Sequence, residues 1–140
     1  MSRILSIDYG LKRIGIAVTD PERIIASPLI TLSQKEFLPF IEDYINRENV
    51  KIIVLGYPQD IDQDLLIVKK IKEVYNYFTK HYEPIKVILY DERYTSKMAY
   101  QGLIKNFKKK QRSNKENIDK MSAAIILQSY MSSKLFQENS

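Results

Sequence analysis

Four acidic side chains stand at the ends of predicted secondary-structure elements in this 140-residue chain. Asp8 closes the first apolar segment, Asp91 and Glu92 close the last predicted strand, and Asp119 lies in the first turns of the last predicted helix. Carboxylates brought together repel one another and lose hydration, which costs on the order of several kcal/mol unless a cation compensates. Mg²⁺ and Mn²⁺ are hard cations that prefer oxygen ligands. Two such ions about 3.5–4 Å apart can activate water and stabilise the leaving oxygen in phosphodiester hydrolysis.

The amino-acid composition excludes several other kinds of active site. The chain contains no cysteine and a single histidine, His81. Disulfides, thiolate nucleophiles and thiolate zinc sites are therefore impossible within this sequence. A zinc site with two histidines is excluded as well, and His81, near a predicted helix end, has no expected role. The chemistry that remains must use carboxylates, lysine, tyrosine, hydroxyl groups or the backbone.

The acidic residues also have simpler interpretations. Asp8, which precedes Tyr9-Gly10, could cap a turn, and Asp119 could be an acid favoured at a helix start by the helix dipole. Ser122, Ala123 and Ala124 follow Asp119, however, and small side chains allow a helix to approach its neighbours closely. The pattern by itself does not choose between Asp91 and Glu92.

Positive charge is concentrated in one segment of the chain. The net charge is +5, from 22 Lys and Arg against 17 Asp and Glu, yet outside residues 105–115 the acids outnumber the cations by one. This basic segment favours nucleic-acid binding, with a solvated charged loop as the alternative. Two cations that follow Asp8 could likewise contact phosphate or form a solvated hairpin tip. The candidate phosphate-binding cations are Lys12, Arg13, Lys105, Lys108, Lys109, Lys110, Arg112 and Lys115.

The elements that must position these residues follow the order βββαβαβαα. Three closely spaced strands predict an antiparallel meander, and the later alternation of strands and helices predicts parallel pairing. Together they indicate an α/β fold with a mixed five-stranded sheet between helices. Capping boxes at Ser33/Glu36 and Ser113/Glu116 predict two of the helix starts. The predicted strands cover 3–8, 13–19, 23–31, 51–56 and 85–90, and the predicted helices follow Ser33 and cover 65–81, 95–107 and about 117–136.

Length and hydropathy predict a single domain over residues 1–140. The longest apolar runs have about five residues, whereas a membrane-spanning helix needs roughly 20. The first residues enter a strand pattern directly and lack signal-peptide anatomy. With the absence of cysteine, these features predict a cytoplasmic protein without membrane association.

Four segments in the expected order together resemble the motifs of the YqgF family, also called RuvX. They span nearly the whole chain. The first runs from Ile7 to Asp20 and reads Ile-Asp-Tyr-Gly-Leu-Lys-Arg-Ile-Gly-Ile-Ala-Val-Thr-Asp. The others are Leu55–Pro58, Tyr90–Ser96 with Ala99, and Lys115–Asp119 with Ala123-Ala124 and Ile126–Gln128.

The resemblance implies an RNase H-like fold whose sheet has the order 3-2-1-4-5, with strand 2 antiparallel. It implies that Asp8, Glu92 and Asp119 are the catalytic, metal-binding acids, because the third motif of the family centres on the position of Glu92. Arg93 and Thr95 would support that site or touch phosphate. One departure is Gln63, which stands where the family commonly has glycine and leaves the shape of the loop 60–64 open.

The resemblance further implies a Mg²⁺- or Mn²⁺-dependent endonuclease with two ions, bound by the protein alone or only together with substrate. We expect structured RNA as the substrate, namely the 5′ end of pre-16S rRNA. Branched DNA is the close alternative, and a Holliday junction resolvase would act as a dimer because it cuts two strands symmetrically. We therefore expect a monomer or a weak homodimer. A non-catalytic nucleic-acid-binding factor and, less favoured, a phosphate-binding ATPase are the competing classes.

Overall fold

The computed structural model describes residues 1–57, 65–91 and 115–133, with the side chains of 65 and 115–119 outside this description. These ranges hold five strands and three helices in the predicted order. The predicted helix over 95–107 lies outside them. The elements are β1 (Arg3–Tyr9), β2 (Ile14–Thr19), β3 (Ala26–Leu32), α1 (Gln34–Arg47), β4 (Val50–Tyr57), α2 (Leu65–His81), β5 (Lys86–Asp91) and α3 (Lys115–Met131).

The five strands form one mixed sheet in the order β3-β2-β1-β4-β5, which confirms the predicted topology. β2 pairs antiparallel with both β1 and β3, while β4 pairs parallel with both β1 and β5. In register, Ile7 of β1 lies beside Leu55 of β4, which lies beside Leu89 of β5. The carboxyl ends of these three parallel strands therefore meet at one edge, called here the carboxyl edge. The opposite edge is the amino edge.

Side chains alternate between two cores, one on each face of the sheet. On the first face Leu5, Ile7 and Tyr9 of β1 pack against the buried residues of α1 and α2. On the second face Ile4 belongs to a core built largely by α3. The first face includes Phe37, Ile41, Ile71 and Phe78, and the second includes Ala123, Ala124, Leu127 and Tyr130.

Small residues let α3 approach the sheet closely, as the sequence predicted. Ala17 and Ala26 of the sheet and Ala123 of the helix are all buried in the same core. At this contact the fully buried Ser6 donates a hydrogen bond from Oγ to the carbonyl oxygen of Ala123, 2.6 Å away. The close approach thus places a polar group of β1 directly against the backbone of α3.

The third strand begins three residues later than predicted, at Ala26 rather than Arg23. The carboxylate of Asp20 accepts hydrogen bonds from the amides of Ile24 and Ile25, at 2.8 and 2.7 Å. Arg23 adopts a left-handed backbone with φ of 58° and donates side-chain hydrogen bonds to Ser2. The segment from Asp20 to Ile25 is therefore a closed turn at the amino edge, although its apolar isoleucines read as strand.

The last helix ends at Met131, five residues before the predicted end at Phe136. The amide of Ser132 donates to the carbonyls of Gln128 and Ser129, and the amide and hydroxyl of Ser133 both donate to Tyr130. Bonds between residues three apart tighten a final helical turn, and serine side chains compete for its carbonyls. None of the helices in the described ranges is both long and apolar enough to cross a membrane.

Candidate active site

Asp8 lies near the carboxyl end of β1, half-buried, and faces α3. It follows Ser6 by two residues and therefore shares the face on which Ser6 contacts Ala123. In β2 its register partner is Gly15. In β4 the residue after the Ile7–Leu55 pair is Gly56, so glycines flank Asp8 on both sides. The two strand positions beside this carboxylate are thus both glycines, which sequence reasoning missed because it depends on strand register.

Asp91 lies on the opposite face of the sheet from Asp8. It is buried, with 7% of its surface exposed, and its register partner is Tyr57. Tyr57 packs against the core formed with α1 and α2. The structure therefore directs Asp91 away from the side that holds Asp8, a distinction that the sequence pattern left open. Glu92, the next residue, lies outside the described residues.

Asp119 lies in α3, four residues before Ala123. Residues four apart stand one above the other on the same side of a helix. The hydrogen bond between Ser6 and Ala123 thus ties this part of α3 to β1, two residues before Asp8. The backbone of the predicted acid is in the helix that faces Asp8, while its side chain lies outside the described residues.

The turn after Asp8 carries Lys12 and Arg13, whose side chains are exposed at the carboxyl edge. A Cβ atom at Gly10 would collide with the backbone carbonyl oxygen of Arg13, so the tightness of this turn requires glycine. The amide side chain of Gln34, the first residue of α1, reaches the turn. Its Oε1 accepts a hydrogen bond from the hydroxyl of Tyr9 at 2.8 Å, and its Nε2 donates to the carbonyl of Gly10 at 2.9 Å. Sequence reasoning did not identify Gln34.

The start of α1 is the one predicted from the capping box. The carboxylate of Glu36 accepts a hydrogen bond from the amide of Ser33 at 2.9 Å. This hydrogen bond is the main reason that the pKa of Glu36 is lowered from its ordinary value of 4.5. The cap makes Gln34 the first helical residue, which is the position from which its side chain contacts the turn.

The other predicted site residues fall outside the described side chains. Among the side chains that the structure does describe, no three acidic or histidine residues come together as a metal-binding group. That result leaves the three-acid site untested, because two of its members are not among those side chains. The predictions that remain untested concern Glu92, Asp119, Arg93, Thr95, Lys105, Lys108, Lys109, Lys110, Arg112 and Lys115, together with Gln63 in the loop 60–64.

A cleft of about 510 Å³ lies at the amino edge, away from Asp8. It is formed where α1 leads into β4 and where α2 leads into β5, and Arg47, Lys51 and His81 contribute to its wall. The site predicted from the acidic residues and this cleft therefore occupy opposite edges of the sheet.

Comparison with known proteins gives a consistent family. Residues 2–133 match the family model described as "RuvX: Holliday junction resolvase". A protein of Amoebophilus asiaticus is 49% identical over 135 residues, covering 95% of this chain and 96% of its own length. A protein of Flavobacterium johnsoniae is 46% identical over 138 residues, covering 97% of this chain and all of its own. Both carry the name "Putative pre-16S rRNA nuclease".

Two solved structures share the fold. The chain resembles T. thermophilus RuvC, solved in complex with a Holliday junction substrate, with a TM-score of 0.54 and 14% identity over 93% of this chain and 94% of the other. It resembles the fowlpox virus Holliday junction resolvase with the same TM-score and 16% identity, covering 99% of both chains. The mixed sheet with helices on both faces is thus the RNase H-like fold that the sequence predicted.

Proposed function

Since the chain belongs to the RuvX family, we propose that it is an endonuclease that hydrolyses phosphodiester bonds in structured nucleic acid. The names of the family and of its relatives are those of hydrolases that cleave nucleic-acid esters. The observation that carries the proposal is the position of Asp8. It stands at the carboxyl edge between two glycines and faces the helix that carries Asp119. Open α/β sheets place ligands outside the carboxyl ends of their parallel strands.

We assign the catalytic acids as Asp8, Glu92 and Asp119. The orientation of Asp91 supports this choice, because Asp91 belongs to the opposite face of the sheet from Asp8. The tie between Ser6 and Ala123 supports the inclusion of Asp119, because it joins α3 to β1 close to Asp8.

The residues around Asp8 fit a hard divalent cation. The donor is a carboxylate, and the flanking Gly15 and Gly56 add no competing side chain. Asp8, Glu92 and Asp119 would hold two Mg²⁺ or Mn²⁺ ions through oxygen atoms alone. When bound, such ions supply an activated water and neutralise charge at the leaving oxygen. The protein itself would contribute three carboxylates, one on β1, one after β5 and one on α3.

The cations near this edge bind the phosphates of the substrate. Lys12 and Arg13 are exposed on the turn that follows Asp8, where they can engage phosphates next to the cleaved bond. Contacts to the backbone fix the register of a nucleic acid without reading its sequence. From the sequence, we also propose phosphate contacts by Thr95 and by the cations Arg93, Lys105, Lys108, Lys109, Lys110, Arg112 and Lys115.

We propose the 5′ end of pre-16S rRNA as the substrate, in a single-domain cytoplasmic protein. The names of the relatives from Amoebophilus and Flavobacterium support this substrate. The description of the family supports a Holliday junction as the second candidate. Cleavage of a junction on two strands requires two sites, so this candidate predicts a dimer on the DNA, whereas RNA cleavage requires only a monomer.

The test is cleavage of a pre-16S rRNA fragment and of a four-way DNA junction, side by side, with Mg²⁺ or Mn²⁺. Asp8→Asn, Glu92→Gln and Asp119→Asn should each lower cleavage about 100-fold or more, since even residues that only support metal ligands cost about 10–100-fold. The matched control is Asp91→Asn, which makes the same change on the other face and should keep activity. Equal trace activity in all of these proteins would instead indicate contamination and a non-catalytic binding factor. Preferential cleavage of the junction by a dimer would reject the RNA assignment.

A further inference from the structure

Gln34 connects two elements that are far apart in the sequence. Its side chain binds the Tyr9 hydroxyl at 2.8 Å and the Gly10 carbonyl at 2.9 Å, across 25 and 24 residues. Tyr9 and Gly10 are the two residues that immediately follow Asp8. One amide side chain therefore clamps the chain at the point where β1 ends and the turn begins.

The clamp is itself anchored on both sides. The capping interaction between Ser33 and Glu36 fixes the start of α1. The ring of Tyr9 packs edge-on against Phe37 of α1, with 5.5 Å between ring centroids. Both rings are buried in the core of the first face. Because α1 is packed in the core, the hydrogen bonds of Gln34 hold the turn at a fixed position relative to this helix.

We infer that Gln34 is a positioning residue for substrate binding, holding Lys12 and Arg13 at the carboxyl edge beside Asp8. This inference rests on the proposed function, since it assigns the turn a phosphate ligand. The geometry supports the inference because the backbone of Gly10 lies close to the carbonyl oxygen of Arg13. A hydrogen bond that fixes Gly10 therefore also restricts Lys12 and Arg13, which follow it in the turn. Gln34 touches no reacting atom in this role and acts only through the turn.

The experiment uses the full chain in an Asp8→Asn background, which prevents cleavage, with a fluorescein-labelled RNA that contains the 5′ end of a 16S rRNA precursor. Gln34→Ala should weaken binding on the order of tenfold, because it removes both hydrogen bonds that hold the turn. Tyr9→Phe removes one of them and should have a smaller effect. Asn46→Ala is the matched control, because it truncates an exposed amide at the far end of the same helix.

Three readouts separate positioning from general destabilisation. In a Lys12→Ala/Arg13→Ala background, Gln34→Ala should cause no further loss of RNA affinity, because the residues through which it acts are gone. In the free protein without metal, Gln34→Ala should raise amide hydrogen exchange in residues 9–14 and leave β4 unchanged. With the catalytic Asp8 restored, KM should rise while kcat stays within about twofold.

Several results would overturn the inference. Additive losses in the Lys12→Ala/Arg13→Ala background, or faster exchange throughout the sheet, would make Gln34 a purely structural residue. The inference would be rejected if Gln34→Ala left RNA affinity unchanged while the unsubstituted protein bound and cleaved RNA normally. The proposed function would then remain intact. Failure of that protein to bind or cleave either nucleic acid would reject both.

Discussion

The two turns on either side of β2 are held in different ways. The amino-edge turn, Asp20 to Ile25, is closed by its own first residue, whose carboxylate accepts two amides four and five residues ahead. The carboxyl-edge turn, Gly10 to Arg13, is held by Gln34 from a different element. The first turn is closed mainly by its own residues, with Arg23 also bonded to Ser2, whereas the second turn is held by a side chain of the packed helix α1.

The way in which each turn is held determines whether it can position groups that bind a substrate. A turn closed mainly by its own residues depends little on the neighbouring helices. This turn exposes Ile24, Ile25 and the acid Glu22, and none of its exposed side chains is a lysine or an arginine. A turn held from a packed helix has its orientation fixed against the core. Binding groups need positions set to within a fraction of an ångström by a supporting shell. The carboxyl-edge turn meets that requirement and also carries the cations next to Asp8.

The largest expected effect is on nucleic-acid binding, and it compares the removal of two cations at the carboxyl edge with the removal of two cations at the amino edge. Lys12→Ala/Arg13→Ala should weaken binding on the order of 10–100-fold and reduce the salt slope by about two. Arg47→Ala/Lys51→Ala removes the same charge from the amino-edge cleft and should change binding little. Titrations of labelled RNA at several salt concentrations measure both. Equal losses in the two variants would show that net charge alone governs binding.

The next effect concerns the shape of the carboxyl-edge turn. Gly10→Ala places a Cβ against the Arg13 carbonyl and should lower the free energy of unfolding by about 1–3 kcal/mol, with weaker RNA binding. Glu22→Ala, at an exposed position of the amino-edge turn, should stay within about 0.5 kcal/mol. Urea denaturation gives both values. A tolerated alanine at position 10 would mean that this turn is not tightly held.

A smaller effect is expected when the local closure of the amino-edge turn is removed. Asp20→Ala deletes the acceptor of the Ile24 and Ile25 amides and should lower Tm, by less than Gly10→Ala does, because water can replace an exposed acceptor. Asp20→Asn keeps one side-chain oxygen as an acceptor and should lower Tm less than Asp20→Ala does. Cleavage per folded molecule should be unchanged in both variants. A loss of activity at full folding would contradict the independence of the two edges.

The smallest effect is a pH dependence of the amino-edge turn and of the cap of α1, the helix that carries Gln34. Hydrogen bonds from the amides of Ile25 and Ser33 are the main causes that lower the pKa of Asp20 and Glu36 from 3.8 and 4.5. A lowered pKa stabilises the fold above the ordinary value, and this stability is lost as pH falls through the lowered pKa. Between roughly pH 7 and pH 3, the urea midpoint should therefore decline less in Asp20→Asn and in Glu36→Gln than in the unsubstituted protein. Parallel curves for all three proteins would contradict these assignments.

Patterns within short segments predicted much of the fold. Alternation and turn residues located the five strands, and Ser33 with Glu36 located the start of α1. The later alternation of strands and helices predicted parallel pairing, and the family resemblance supplied the sheet order. The exceptions were the end of α3, which is Met131 rather than Phe136, and the start of β3. Ile24 and Ile25 looked like strand because the competing acceptor was a side chain of the turn.

The details of the site depended on contacts that a single sequence does not display. Gln34 is an ordinary first residue of a helix until its partners, Tyr9 and Gly10, are known. Gly15 and Gly56 flank Asp8 only through strand register, and the orientation of Asp91 follows from its pairing with Tyr57. Each of these facts needs a three-dimensional alignment of segments that lie far apart in the chain.

The contact between Ser6 and Ala123 has a consequence for the time at which activity can arise. The two residues are 117 positions apart, so a chain emerging from the ribosome contains β1, β2 and the two turns beside β2 long before α3 exists. Synthesis runs from the amino end at about 5–20 residues per second, so α3 is the last of the described elements to be made. A nascent chain would thus carry the nucleic-acid-binding turn before Asp119. Under the proposed function, a copy whose synthesis has not yet reached Asp119 could not cut RNA.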